Sequence, residues 1–279
     1  MRTWMITGVS SGFGYELTKQ LLEAGDRVIG TIRGESSKDK IKDFLEQENF
    51  EAPYLDVRDT DKVKEVVDSA FEKYGRIDVI VSNAGYGLFG GAEELSMDEV
   101  NKIIATNLTG SIAFIKAALP YMRKQGGGRI IQISSYGGQV AYPANSLYHA
   151  TKFGIEGFCE SVAQEVADFG IGITIVEPGG ARTEFRYSSA RVAPSNPIYD
   201  GTPTHAFLKM LDPANGLAPG NPALMATRMI ESVDKNPAPL RMVLGSQALK
   251  ATIDRLEERV ADYKTQTELA ASTDYKDGE

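Results

Sequence analysis

Residues 3–25 read TWMITGVSSGFGYELTKQLLEAG, and the fold turns on how that stretch divides. Thr3–Thr7 makes a short apolar strand. Gly8, Gly12 and Gly14 then break the chain, with Ser10, Ser11 and Phe13 among them, and Leu17, Leu21 and Leu22 recur at helical spacing until Gly25 stops the run. In a strand, glycine loop and helix of this kind the backbone can approach a pyrophosphate, whose charge sits at the positive end of the helix. The spacing is G-x-x-x-G-x-G, and taken alone it describes a tight turn equally well.

Working outward, the same rhythm repeats. A second strand over 27–32 ends in Thr31-Ile32-Arg33, with no carboxylate until Glu35. A carboxylate at that strand end would bind a ribose 2′-hydroxyl and a cation a 2′-phosphate, so Arg33 favours NADP(H) over NAD(H), with Ser10, Ser11 or Lys38 as helpers. The alternative for Arg33 is an ordinary surface arginine. A helix over 41–47, a strand over 52–57 and a helix over 59–74 follow, the last striped by Val63, Val66, Val67, Ala70 and Phe71. Asp56 and Val57 fall where an adenine ring would cross the sheet. A strand over 77–82 opens into Asn83-Ala84-Gly85, at a carboxyl end where open α/β sheets bind ligands. Ser96 and Glu99 form a capping box for a helix that is interrupted at Asn107. Strands over 129–134 and 171–177 deliver Ser134-Ser135 and Pro178-Gly179-Gly180-Ala181-Arg182-Thr183. The alternation predicts one α/β domain, a doubly wound parallel sheet of about seven strands with helices on both faces.

Composition narrows the function. Acidic residues outnumber basic ones by 38 to 30, giving a net charge of −8, which argues against broad attraction to nucleic acid. The lone Cys159 cannot form an internal disulfide and fits a reducing compartment, with a buried apolar role on its helix. No apolar run reads as a membrane span or signal peptide, and a cytoplasmic location is expected. With only His149 and His205, no metal cluster is expected.

Tyr148 and Lys152 stand four residues apart in a proline-free apolar helix, on one face. A nearby cation stabilises a phenolate, so the pair suits proton transfer near neutrality; a solvated helix edge is the plain alternative. His149 points about a hundred degrees round the helix, towards packing or surface.

Together these residues resemble the short-chain dehydrogenase/reductases, over about residues 3–183: T-G-x-x-x-G-x-G at 7–14, Asp56, Asn83-Ala84-Gly85, Asn107, Ser135, Tyr148-x-x-x-Lys152 and P-G-x-x-x-T at 178–183. Ser82 departs from a frequent second asparagine. The resemblance implies a Rossmann fold of the compact branch and a hydride transfer between NADP(H) and a secondary alcohol, ketone or aldehyde. Tyr148 would be general acid/base, Ser135 would hold the substrate oxygen, and Lys152 would lower the tyrosine's pKa and bind the nicotinamide ribose. Asn107 would act through its backbone on a water, Asn83, Ala84 and Gly85 would line a ribose, and Pro178, Gly179 and Thr183 would border the nicotinamide. The segment 148–184 looks like the retinoid and hydroxysteroid branch, implying a bulky apolar substrate. The family also implies a homodimer or homotetramer through the helices over 107–125 and 146–169. An NAD-dependent dehydrogenase and a non-catalytic redox sensor are the competing readings.

Beyond Thr183 the pattern loosens. Residues 184–220 are rich in proline and read as a substrate flap holding His205, Asn221 with Pro222 starts a helix, and residues 240–244 make a last edge strand. Leu249, Ile253, Leu256, Val260 and Tyr263 stripe a final helix, expected to pack on its own domain, and Met210, Met225, Met229 and Met242 offer a substrate wall or core filling.

Overall fold

The computed structural model describes residues 1–185, 189–211 and 217–275. Parts of the expected flap and of the polar tail therefore lie outside the described residues. Seven parallel strands form one sheet in the order β3-β2-β1-β4-β6-β7-β9, with the chain reversing direction across the sheet between β1 and β4. They are β1 (Thr3–Thr7), β2 (Arg27–Thr31), β3 (Phe50–Glu51), β4 (Val79–Ser82), β6 (Gly128–Ile133), β7 (Ile171–Pro178) and β9 (Arg241–Leu244); β5 (Leu88–Phe89) and β8 (Arg191–Val192) pair separately. The central strands are buried on both faces, which is why they read as unbroken apolar runs.

Helices cover both faces. On one side α3 (Thr60–Tyr74), α5 (Gly110–Lys124) and α6 (Ser146–Val166) enclose a core containing Phe71, Ile80, Phe114 and Ile155. On the other, α1 (Gly12–Glu23) and α8 (Pro222–Ser232) bury Leu17, Leu21, Met225 and Met229 against Trp4, Ile6 and Ile131. Met225 and Met229 are thus core residues, and Met210 is exposed. Asp59 caps α3 by accepting from the Lys62 amide at 2.9 Å, Ser96 and Glu99 cap α4 (Met97–Ile104) reciprocally, and Asn221 caps α8.

Four expectations need correction. The third strand begins at Phe50 and its regular ladder ends at Glu51; Pro53 has no amide to donate, and only a bridge between Ile32 and Tyr54 continues the pairing. The helix expected over 41–47 shortens to a four-residue α2 (Lys42–Leu45), entered through two 3₁₀ turns, Glu35–Ser37 and Asp39–Ile41, none with a side-chain cap. At Asn107 the helix does not break but widens into a π turn, Ala105–Thr109, giving a continuous run Met97–Lys124 of 28 residues. That run has the length and composition of a membrane span, contrary to the sequence expectation, but Ile103, Phe114, Ile115, Ala118 and Met122 are buried within the protein. Finally, α9 (Ser246–Lys264) turns Ala248 and Thr252 inward and its apolar stripe outward, with Leu249, Ile253 and Val260 each close to half exposed.

The span 184–220 carries β8, a 3₁₀ turn at Pro197–Tyr199 and α7 (Pro203–Leu211). A short α10 (Thr267–Ala271) follows α9.

Candidate active site

Ser11 occupies the N-cap of α1 without making a side-chain capping bond, and the first amide to return to it is that of Tyr15. The amides of Gly12, Phe13 and Gly14 have no acceptor inside the helix, which is the arrangement that receives an anion. Gly12 is left-handed at φ +58°, and a Cβ on Gly14 would collide with the Gly8 carbonyl and the Asn83 amide. Asn83 braces this loop: its Nδ2 donates to the carbonyls of Thr7 (2.8 Å) and Gly8 (2.9 Å), while Thr7 Oγ1 accepts from the amides of Asn83 and Ala84. Its side chain is therefore occupied beneath the loop, and Gly85 packs beside the Asn107 side chain.

A cleft of about 550 Å³ separates the glycine loop from the turn after β7, with Ser10, Ser11, Gly12 and Thr183 on its walls together with Lys40 and Arg182. These two cations were not anticipated: Lys40 belongs to a run of surface charges, and Arg182 stands at one of the unspecified positions of P-G-x-x-x-T. Arg33 is exposed just beyond β2, and among the described residues it makes no hydrogen bond or ion pair. Lys38 pairs instead with Glu35 at 3.0 Å. Asp56 is held below the usual carboxylate range, chiefly by Arg58, whose Nε and Nη2 both reach it, with a smaller share from Arg33. Val57 is buried, and its carbonyl crowds Gly110 just after the π turn.

Ser135, Tyr148, Lys152 and Asn107 meet at the carboxyl ends of β4 and β6, and all four are buried. Tyr148 packs with Leu88, Leu95, Ile103 and Ala193, and its ring lies 5.7 Å from that of Phe185 and 6.2 Å from that of Phe89. Ser135 Oγ accepts from the Gly137 amide at 3.0 Å, on the loop beside the phenol. Burial holds the Tyr148 pKa well above the usual value of 10, with the neighbouring Ser135 acting in the opposite direction. Lys152 Nζ donates to the Ile133 carbonyl at 2.9 Å and stands 5.7 Å from the centre of the Tyr148 ring. Burial lowers its pKa to about 8, against the opposing pull of Glu156 one turn along α6.

Asn107 uses the π turn to face inward. Its Oδ1 accepts from the Tyr86 amide (3.0 Å), and its Nδ2 donates to the Tyr86 carbonyl (2.9 Å) and to Thr151 Oγ1 (3.3 Å). Thr151 in turn donates to the Tyr148 carbonyl, so the loop after β4 and the tyrosine helix are tied through one amide. Pro178 ends β7 beside Leu244, and the Gly179 amide donates to the Leu244 carbonyl. His205, in the expected flap, is buried between Glu94 (3.1 Å) and Asp200 (3.0 Å), whose hydrogen bonds raise its pKa. Cys159 is buried, as its apolar reading requires, and burial pushes its thiol up to about 12.

A family profile described as short chain dehydrogenase matches residues 2–192. Oxidoreductase BOA17 of Botryotinia fuckeliana (strain B05.10) is 36% identical over 249 residues, covering 89% of this chain and 90% of its own. The crystal structure of a short-chain dehydrogenase from Streptomyces avermitilis superposes with a TM-score of 0.90 at 34% identity, covering 98% of both chains. ElxO with NADP bound superposes with a TM-score of 0.74 at 28% identity, covering 89% of this chain and 99% of its own. An anion-receiving glycine loop and a Ser135, Tyr148 and Lys152 cluster at one end of the same sheet are what such relatives lead one to expect: the chain belongs to the short-chain dehydrogenase family, and is an oxidoreductase that takes a nicotinamide dinucleotide.

Proposed function

We propose that the protein is an NADP-dependent carbonyl reductase or alcohol dehydrogenase, interconverting a ketone or aldehyde with its alcohol. The observation that carries this is the burial of Ser135, Tyr148 and Lys152 together, with the Lys152 ammonium 5.7 Å from the centre of the Tyr148 ring. Open amides at the start of α1 and Arg33, exposed beyond β2 and pairing with none of the described residues, fit a phosphorylated dinucleotide.

When bound, NADPH supplies the hydride. Tyr148, kept protonated by burial, gives its proton to the substrate oxygen. Ser135 donates to that oxygen as negative charge grows on it. Lys152 keeps positive charge next to the phenolate that remains, and the Ile133 carbonyl fixes where that charge sits. Phe89, Phe185 and Phe207 surround the tyrosine side, which favours a bulky apolar substrate. We also infer pairing with a second copy through α5 and α6, since Phe153, Gly154 and Gly157 leave one side of α6 exposed.

The test is NADPH consumption with a panel of aliphatic, aromatic and steroid-like ketones. Tyr148→Phe should bind NADPH as wild type does and turn nothing over; full activity in that variant would remove Tyr148 from the mechanism. In Arg33→Ala, kcat/KM should fall about tenfold or more with NADPH and little with NADH. A wild type that prefers NADH would overturn the cofactor assignment.

A further inference from the structure

His149 follows Tyr148 in the chain, with its ring 6.0 Å from the tyrosine's, but it faces the loop after β6. It is buried, and its imidazole spans the loop that leads from Ser135 to Tyr142. Nδ1 lies 2.7 Å from the Gly137 carbonyl oxygen and Nε2 lies 3.0 Å from the Tyr142 amide nitrogen. A carbonyl only accepts and an amide only donates, so Nδ1 carries the hydrogen, Nε2 is bare and the ring is neutral. Burial lowers the histidine's pKa, in keeping with that state.

What the ring holds is chemically specific at both ends. The Gly137 amide donates to Ser135 Oγ at 3.0 Å. One lone pair of that oxygen is thereby engaged, and its hydrogen is left to point towards Tyr148 and the substrate oxygen. Gly137 also touches the imidazole so closely that a Cβ there would stand 2.7 Å from Nδ1 and 3.3 Å from Ser135 Oγ. At the other end, the Tyr142 ring stacks on Phe207 of α7, with centroids 6.3 Å apart and planes 19° from parallel. It also lies 5.9 Å from Tyr136.

We propose that His149 is a positioning residue with two separable effects: through Gly137 it aims the Ser135 hydroxyl, and through Tyr142 it sets the aromatic wall against which a bulky substrate rests. The proposal rests on the reductase reading above. Asparagine and glutamine divide the two effects, because an Asn amide can reach where Nδ1 is and a Gln amide where Nε2 is. His149→Gln should lose about a hundredfold in kcat, since a small misplacement of a reacting partner costs that much, with KM nearly unchanged. His149→Asn should keep kcat within about threefold and raise KM about tenfold for a steroid-like ketone but not for a small aliphatic one. Gly137→Ala, which pushes on the intact ring, should behave like His149→Gln. NADPH affinity, measured by fluorescence titration, should be that of wild type in all three.

Variants that match wild type in kcat and KM overturn the proposal. So does a parallel loss of kcat, KM and NADPH affinity in every variant, which is the mark of general unfolding; Gly137→Ala keeps the question open to measurement if the histidine variants fail to fold. A wild type that consumes no NADPH with any ketone overturns the reductase reading and this proposal with it, whereas an active wild type with indifferent variants overturns this proposal alone.

Discussion

Lys152 holds its charge where burial opposes it. Its pKa of about 8 lies below the usual lysine value of 10.5, so between those values the unfolded chain binds the more protons. The cost of the buried charge is therefore borne in full below pH 8 and fades as pH rises towards 10.5. That cost is on the order of 3 kcal/mol, partly offset by the bond to the Ile133 carbonyl, which contributes roughly 1–2 kcal/mol. In the cofactor-free protein Lys152→Met should accordingly have a Tm at or above that of wild type at pH 7, the gap closing by pH 10; a large fall in Tm would mean that the ammonium is better compensated than its surroundings indicate. Reductase activity should show an alkaline limb near pH 8 as the lysine loses its proton, and whatever activity survives in Lys152→Arg should lack it. The four-residue spacing of Tyr148 and Lys152 was legible in the sequence because helix geometry alone puts them on one face. The tie between His149, Gly137 and Tyr142 was not, because it depends on how a glycine-rich loop folds back over the helix.

The π turn Ala105–Thr109 is an element with a job that a regular helix could not do. The extra residue in the turn lets Asn107 project inward while Ile103 and Phe114 stay on the core face. Asn107→Leu would keep the volume but leave the Tyr86 amide and carbonyl without their partner. The expected loss is about 2–4 kcal/mol in urea unfolding, with Asn107→Asp losing less because its oxygen still accepts from the Tyr86 amide. The sequence placed this feature through a poor helix former in a helical run, but read it as an interruption, since propensity cannot distinguish a widened turn from a break. Central strands were read almost to the residue from their apolar runs. The edge strand β3 and the helix α9 were not: Pro53 ends a ladder that β-propensity would extend, and a heptad stripe such as Leu249 to Tyr263 has the same spacing whether it faces its own core or solvent.

Across the molecule, the last strand is locked to the tyrosine helix through Arg241. Its guanidinium pairs with Glu156 and Glu160 on α6 and with Glu177 on β7, and Glu156 also accepts from Ser134 Oγ at 2.6 Å and from Gln139. Glu156 and Glu177 are both buried, and burial raises the pKa of Glu177. Removing the cation in Arg241→Met should cost about 3–5 kcal/mol, because two buried carboxylates, Glu156 and Glu177, are left without it. The loss should be smaller at pH 5 than at pH 8, where Glu177 can no longer shed its charge by taking a proton; Tm measured at both values checks the sign. Activity should fall along with stability, since the same carboxylate holds the residue next to Ser135. The rings over Tyr148 have a consequence of their own. Phe207 lies 6.5 Å from Phe89 and is stacked on Tyr142, so the protein's own side chains already satisfy one another across the space a substrate would enter. Binding is then an exchange of one apolar packing for another, and a ligand gains only the area by which it outdoes Phe207. On the proposed reductase reading, that subtraction would favour large apolar substrates over small ones.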